Sequence, residues 1–587
     1  MNSVTSRAPT PPAPAASSAA GTAGTAAGHG AAAAGSASPL LRRLADPAGP
    51  AALVLAAALA LAFACWLFTL PFMRGLTSFW QQQDGDIAQY LAGFNAYVRE
   101  PWQWPLLHLS SINYPDGTLA TFLDTVPLYA LLQKLWQHGP GTPFRNPYPL
   151  WIALCYALQG AGAWWICREA RLRSWTALLV LTLLLAAYPA LGYRIHHTSL
   201  MSQWLLLFGF ALYLRGTRRQ QLAGAAWVGL LLLAFYINIY LCCMLGLLFV
   251  ADWLRHARAG QRRGLLGAPL AAAVLLGTSV ALTMLPLGAN AGGGEWGFGF
   301  YSMNLLGPFA GGRLLQFKQA IANEGQGEGY AYLGVFLLAM MGHALRLRQR
   351  RDPAFWQRHR TLLVMLVLMT LYALSNTVYL SNTELFHVDL PGWTERFTSL
   401  MRCSARFFWP VGYAVILFTV ITVQRLGGRR APLLLLGLLV LQFWDLGPHH
   451  QRTRETAYIA APARVTAPVW EQFLGADSKT LQVYPPFGCG KAPATLTILP
   501  TMLYAVKHEL NMSTGYVARL KKPCDHYAQE IAASTAPGTA FVFIKTDFAQ
   551  INEVEQLLGG KPAATCIEAD FAWLCKRAVP AVTENKQ

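Results

Sequence analysis

Charge is scarce in this chain. Asp, Glu, Lys and Arg make up 13% of its 587 residues, against 54% hydrophobic residues. A soluble domain needs about 25% charged residues to keep its surface wet, so an ordinary soluble globule is excluded. Acids are scarcer than bases, 28 against 46, which leaves a formal net charge of +18. The arginines are not massed on one stretch as a nucleic-acid footprint would be. They sit in short linkers between apolar runs, the pattern in which Lys and Arg stay on the cytoplasmic side of a membrane. Soluble-enzyme signatures are also missing. There is no P-loop, Rossmann fingerprint, GxSxG or HExxH, and no CxxC spacing to hold zinc.

What is present is a series of apolar stretches near the roughly 20 residues that a bilayer core requires. Residues 1–40 are mostly Ala, Ser, Gly, Pro and Thr. They are too poor in large apolar side chains to fold and too polar for a signal-peptide core, so a disordered cytoplasmic tail is expected. Arg42 and Arg43 precede the first run, Ala51 to Phe72, which puts residue 73 outside. A long external loop, 73–147, follows. Further runs begin at Tyr148, Trp175, Ser199, Leu222, Leu265, Tyr330, Leu362, Phe407 and Pro432. The stretch Leu222 to Leu254 has arginines at both ends, so it reads as two short helices turning near "FYINIY" at Asn238. The sum is eleven spans over residues 41–448, with the N-terminus in and the C-terminus out. Every linker assigned inside carries at least three Arg.

Residues 449–587 change character. "KTLQVYPPF" and "TAFVFIKTDF" read as strands, "INEVEQLLGG" as a short helix and "TCIEADFAWLCKR" as a hairpin. The predicted fold class is therefore a mainly α polytopic membrane protein with a C-terminal α/β extracytoplasmic domain. Of ten cysteines, Cys65, Cys155, Cys167, Cys242, Cys243 and Cys403 lie in or beside spans. The other four suit an oxidising compartment. Cys566 can face Cys575 across the hairpin, which leaves Cys489 with Cys524; the plainer alternative is four free thiols.

The first external loop carries the chemistry. In "QQQDGDIAQYLAGFNAYVREPW" a helix from Asp84 to about Arg99 puts Ile87, Leu91, Phe94 and Val98 on one stripe. Asp86, Tyr90, Gly93 and Tyr97 then share the adjacent face. Asp84 reads as the N-cap, and Asp86 as an acid near the positive helix end. A second amphipathic helix or a partial span is expected over 122–136. Asp124 lies in apolar surroundings, where an acid is costly unless it is paired or faces water.

This layout resembles the GT-C superfamily of integral-membrane glycosyltransferases. These use polyprenyl-phosphate sugar donors on the outer membrane face and carry a key acid, with an aromatic a few residues on, just after the first span. "GDIAQY" matches with Asp86 and Tyr90. The blocks "GDIAQYLAGFNAYVREPWQWPL", "NYPDGTLATFLDTVPL", "EWGFGFYSMNLLGPF", "GQGEGYAYLG" and "RCSARFFWP" resemble more closely a bacterial multi-pass family of unknown function grouped with GT-C. The resemblance covers most of residues 50–450. It implies a GT-C-like fold, a bacterial inner-membrane location with the C-terminal domain in the periplasm, and sugar transfer to an extracytoplasmic glycan, lipid or protein.

The residues suit that chemistry. Transfer to a hydroxyl needs a base, for which Asp86 is the candidate, assisted by Asp124. A leaving phosphate needs cations, and Arg194, Arg402 and Arg406 offer planar forks. Arg402 and Arg406 are four apart, so a helix would align them. His196 and His197 suit phosphate or metal. Glu295, Glu324 and Glu328 suit a metal or sugar site, and Trp296, Phe298, Phe300 and Tyr301 suit stacking on sugar or prenyl. Asp84 and Asp86 also form a DxD pattern that could take a divalent cation, Mg or Mn. The plainer readings are a solvated acid, interfacial arginines and histidines, loop glutamates and an aromatic interface belt. Two other functional classes fit the same chain. One is a lipid-linked glycan transporter or flippase. The other is a membrane-anchored binding or scaffold protein acting through its exported domain.

Overall fold

A computed structural model describes residues 46–578, apart from 138, 261–264, 286–294, 318, 460–461, 520–521 and 562. The tail expected over residues 1–40 lies outside the described residues. Each of the eleven expected spans contains a helix. These are α1 (Pro50–Phe68), then, after helices α2 (Asp86–Arg99) and α3 (Pro127–Trp136) of the external loop, α4 (Tyr148–Glu169), α5 (Trp175–Ala186), α6 (Trp204–Arg219), α7 (Gly224–Phe235), α8 (Ile239–Arg258), α9 (Gly267–Thr283), α10 (Val335–Arg351), α11 (Arg360–Leu374), α12 (Trp409–Leu426) and α13 (Ala431–Asp445). The protein is a multi-pass membrane protein. Among the described residues, four helices are long and apolar enough to cross a bilayer, or six if two bent pairs each count as one span. The expected count of eleven exceeds this because α6, α7, α9, α10 and α11 have only 16, 12, 17, 17 and 15 residues, short of the roughly 20 a span needs.

Small residues let the helices approach closely. A Cβ on Gly160 of α4 would stand 2.2 Å from the Ala56 carbonyl oxygen of α1, the backbone proximity that glycine permits between membrane helices. Caps set the helix starts. The Ser174 side chain accepts from the Ala177 N–H to begin α5. Asn238 accepts from the Tyr240 N–H to begin α8, so the chain does turn at Asn238 between two helices.

The C-terminal domain is α/β. Its strands β1 (Thr480–Tyr484), β2 (Asn511–Met512), β3 (Thr539–Ile544), β4 (Ala564–Ala569) and β5 (Ala572–Arg577) form a mixed sheet of order β2-β1-β3-β5-β4. The first three strands are parallel, and β5 runs antiparallel to both β3 and β4. Parallel pairing requires crossovers. One of them carries helix α14 (Ile498–Lys507), which packs against α2 of the external loop. The expected hairpin is β4–β5, with Cys566 directly opposite Cys575. Both expected disulfides form, Cys489–Cys524 and Cys566–Cys575, and the six span cysteines are free. This is consistent with an extracytoplasmic location for the domain. The Cys489–Cys524 bridge closes a 35-residue separation, for which the loop-entropy relation gives about 4 kcal/mol. Replacing both cysteines by serine lowers stability by about that amount in chemical denaturation of the non-reduced protein; an unchanged midpoint refutes it.

Candidate functional site

Helix α2 leaves Gly85 as its N-cap, with no side-chain cap bond, and starts at Asp86. The expectation that Asp84 caps this helix is corrected. The Asp84 carboxylate instead takes both Nε and Nη2 of Arg464, each at 2.9 Å, so a stronger charged partner has replaced a backbone N–H. The one-sided stripe on α2 is also corrected, because residues 87–98 are buried all round. The second face lies under the C-terminal domain, through α14 and the Gln89 Nε2 bond to the Tyr516 carbonyl at 3.0 Å.

Gly93 explains how Asp124 reaches this helix. A Cβ there would lie 2.6 Å from Leu123 Cβ and 2.7 Å from Thr125 Cγ2, so only glycine lets the 120–125 turn seat itself against α2. The turn is strained, since Asp124 has φ 55° and Val126 φ 53°, left-handed values that a β-branched residue rarely adopts. Strain of this kind gathers at functional sites. The expected helix over 122–136 is correspondingly shorter. It begins at Pro127, whose fixed φ suits a first turn.

Four segments converge on one cluster. His197 Nε2 lies 3.4 Å from Asp86 Oδ2 and 3.4 Å from Glu328 Oε1. Glu328 Oε2 also accepts from Arg194 Nη1 at 2.7 Å and from Arg406 Nη2 at 2.5 Å. Gly329 makes this approach possible, because a Cβ there would overlap that of Ala405 at 2.0 Å. Asp124 sits close enough to feel the charges of His197, Arg406, Asp86 and Glu295. The side chains of Asp86, His197 and Glu328 keep 35, 21 and 22% exposure, so this side of the cluster meets solvent, whereas Arg194 and Arg406 behind it are buried.

The electrostatics follow from these contacts. Burial raises the Asp124 carboxyl above its ordinary range, against the pull of His197 and Arg406. Glu328 is held well below the carboxylate range: burial opposes ionisation, but Arg194, Arg406 and His197 outweigh it. Burial lowers His197, yet Asp86 and Glu328 overcome it and the net shift is upward from 6.5. A raised histidine stabilises the fold fully below its unfolded value, and the benefit fades as pH rises through the folded value. Glu328 acts in the opposite sense, losing its contribution as pH falls through its depressed value. The His197→Gln variant should therefore lose most stability relative to wild type below about pH 6.5 and approach it as pH rises through the raised folded value. Thermal midpoints across that range check this, and a pH-independent difference contradicts it.

A second ion pair flanks the first. Arg402 Nη2 meets Glu295 Oε2 at 3.0 Å, and the guanidinium lies over the Tyr301 ring. The expected helical alignment of Arg402 with Arg406 does not occur. Residues 404–408 form a 3₁₀ turn and α12 begins only at Trp409, with Pro410 in its first turn, so the two arginines meet different carboxylates.

The other candidates take lesser places. Tyr90 is buried, and its hydroxyl pairs with Ser199 Oγ at 2.8 Å. His196 packs on Phe79. Glu324 is exposed at the start of a 3₁₀ turn, and Trp296 is exposed beside Phe300 and Tyr301. Phe298 packs on Tyr372. Asp84 and Asp86 engage different partners, and no group of three or more His, Cys, Asp or Glu among the described residues could hold an ion.

One contributor was not foreseen. The segment 512–519 of the C-terminal domain is laid across the external loops. Met512 pairs with Ser111 and Tyr114, Ala518 N–H donates to Phe122 O, and Arg519 N–H donates to Glu295 at 2.7 Å. The Tyr516 phenol, pushed up to about 12 by burial, also feels the charges of Asp86, Arg402 and Asp124. Only a polar, aromatic stretch, "STGYVAR", marks it in the sequence.

Comparison with known proteins gives the family. The chain belongs to the family described as "Domain of unknown function (DUF6311)", which matches residues 57–447, and the "DUF6311 C-terminal domain" matches residues 469–577. No curated protein and no solved structure matches.

Proposed function

We propose that this protein is a GT-C-type glycosyltransferase of the bacterial inner membrane. It moves a sugar from a polyprenyl-phosphate donor to an extracytoplasmic glycan, lipid or protein. The observation that carries the reading is the solvent-open Asp86–His197 pair set beside two arginines braced by one glutamate. Asp86 takes the proton of the acceptor hydroxyl as its oxygen attacks the anomeric carbon. The bond from that carbon to the phosphate oxygen breaks, and the polyprenyl phosphate leaves with the electron pair. His197 positions Asp86 through their 3.4 Å contact. Each guanidinium has five N–H donors, more than the shared Glu328 oxygen takes up, so Arg194 and Arg406 can also meet the phosphate. Asp124 and Tyr516 line the acceptor side, and the periplasmic C-terminal domain contributes to acceptor recognition through the segment that holds Tyr516. No step requires a metal.

The test is transfer of radiolabelled sugar from polyprenyl-phosphate donors in membranes bearing the full chain. Product that depends on the protein supports the proposal. No product from any donor tried, with lipid-linked glycan crossing reconstituted vesicles, would favour a transporter instead.

A further inference from the structure

A groove of about 600 Å³ lies between α4, α6, α10, α11 and α12. It is at the far end of the bundle from Asp86. Helix α4 starts with Tyr148, whose hydroxyl donates to the Tyr90 carbonyl, and ends at Glu169 in the groove. Its 22 residues span about 33 Å. Helix α12 starts with Trp409 against Arg194 and ends beside groove residue Arg425. The groove therefore belongs to the arginine-rich end, which the sequence assigns to the inside.

Its walls are apolar along most of their length, and its mouth is basic. Val411 and Arg425 both line it. They are fourteen positions apart on one helix, or about 21 Å, enough for the hydrocarbon depth of a single leaflet at about 15 Å. Val367 lines the groove and is 58% exposed, so the apolar wall continues onto an outward apolar face of α11 that also bears Val364, Leu368 and Leu371. At the mouth stand Arg171, Arg218, Arg348 and Arg425 against one lining acid, Glu169. Arg218 is paired with that acid at 2.6 Å, and Arg348 with Asp352 at 2.8 Å. Arg171 and Arg425 are exposed and feel each other's like charge. Arg425 also donates to the Ala170 carbonyl, which fixes it beside Arg171. Two neighbouring guanidinia at the end of an apolar slot are suited to one phosphate, whose oxygens accept their N–H groups and relieve the repulsion.

We infer that this groove holds an anionic phospholipid of the surrounding bilayer. One acyl chain lies between α11 and α12, and the phosphate sits at Arg171 and Arg425. The inference is independent of the reaction proposed at Asp86. It is tested by delipidating the full-length protein in detergent, then titrating phosphatidylglycerol, phosphatidylcholine of identical chains, and a short polyprenyl phosphate under native mass spectrometry. Wild type should retain phosphatidylglycerol about tenfold more tightly than phosphatidylcholine, as basic residues at an anionic headgroup imply. In R171N/R425Q that ratio should fall to about one; Asn suits the left-handed backbone of Arg171, φ 52°. V415W, which fills the apolar slot, should weaken both lipids without equalising them. Equal retention of the two phospholipids by wild type, an unchanged ratio in R171N/R425Q, or preferential retention of the polyprenyl phosphate would each overturn it.

Discussion

The Asp86→Asn variant should lose at least about a hundredfold in sugar transfer, the lower bound for removal of a positioned general base, while folding as wild type does. The two effects separate because of where the residue sits. Asp86 occupies the first position of α2 with its side chain 35% exposed, so the folding cost is limited to a helix-end charge, about 0.5 kcal/mol, and its contact with His197. The amide keeps the shape and can still hydrogen-bond, but it cannot accept a proton. An Asp86→Glu variant keeps the carboxylate and should recover part of the rate. The measurement is initial rate per folded protein, with both disulfides and the thermal midpoint checked in the same preparation. Equal transfer by wild type and Asp86→Asn would remove Asp86 from the reaction.

Glu328→Ala should be the most destabilising single change in the cluster, by about 3 kcal/mol. One carboxylate neutralises Arg194 and Arg406, whose side chains are 3 and 10% exposed, and also faces His197. Removing one partner of a buried pair strands the other charge, which costs about 3–5 kcal/mol; the 22% exposure of Glu328 places this case at the lower end. Coupling gives a sharper test. If the cost is a stranded guanidinium, adding Arg406→Ala to Glu328→Ala should cost much less than Arg406→Ala does in wild type. Additive losses in urea denaturation would mean that the glutamate acts by packing rather than by charge.

Much of the architecture was legible in the residues. Apolar runs and the arginine linkers located the helices, because a lipid solvent forces every backbone polar group into a helix and penalises charge outside the interfaces. Alternation and turn residues located the hairpin, and cysteine placement located both disulfides. Asp86, His197, Arg194, Arg406 and Glu328 were all legible as candidates for sugar-phosphate chemistry, and they converge. Their pairing did not stand out. Helical spacing linked Arg402 to Arg406, but Pro410 starts the helix too late, and each arginine pairs with a glutamate from a distant loop. The cap expected of Asp84 yielded to Arg464, 380 positions away. Tyr516 comes to α2 from a separate domain. Short-range periodicity carries information only across a few turns of chain. Which carboxylate meets which guanidinium depends on the folding of loops whose glycines, Gly93 and Gly329, permit contacts that no spacing rule encodes. The opening two aspartates of "DGD" thus part company in three dimensions: Asp84 ties the C-terminal domain down, and Asp86 faces His197 at the solvent-open cluster.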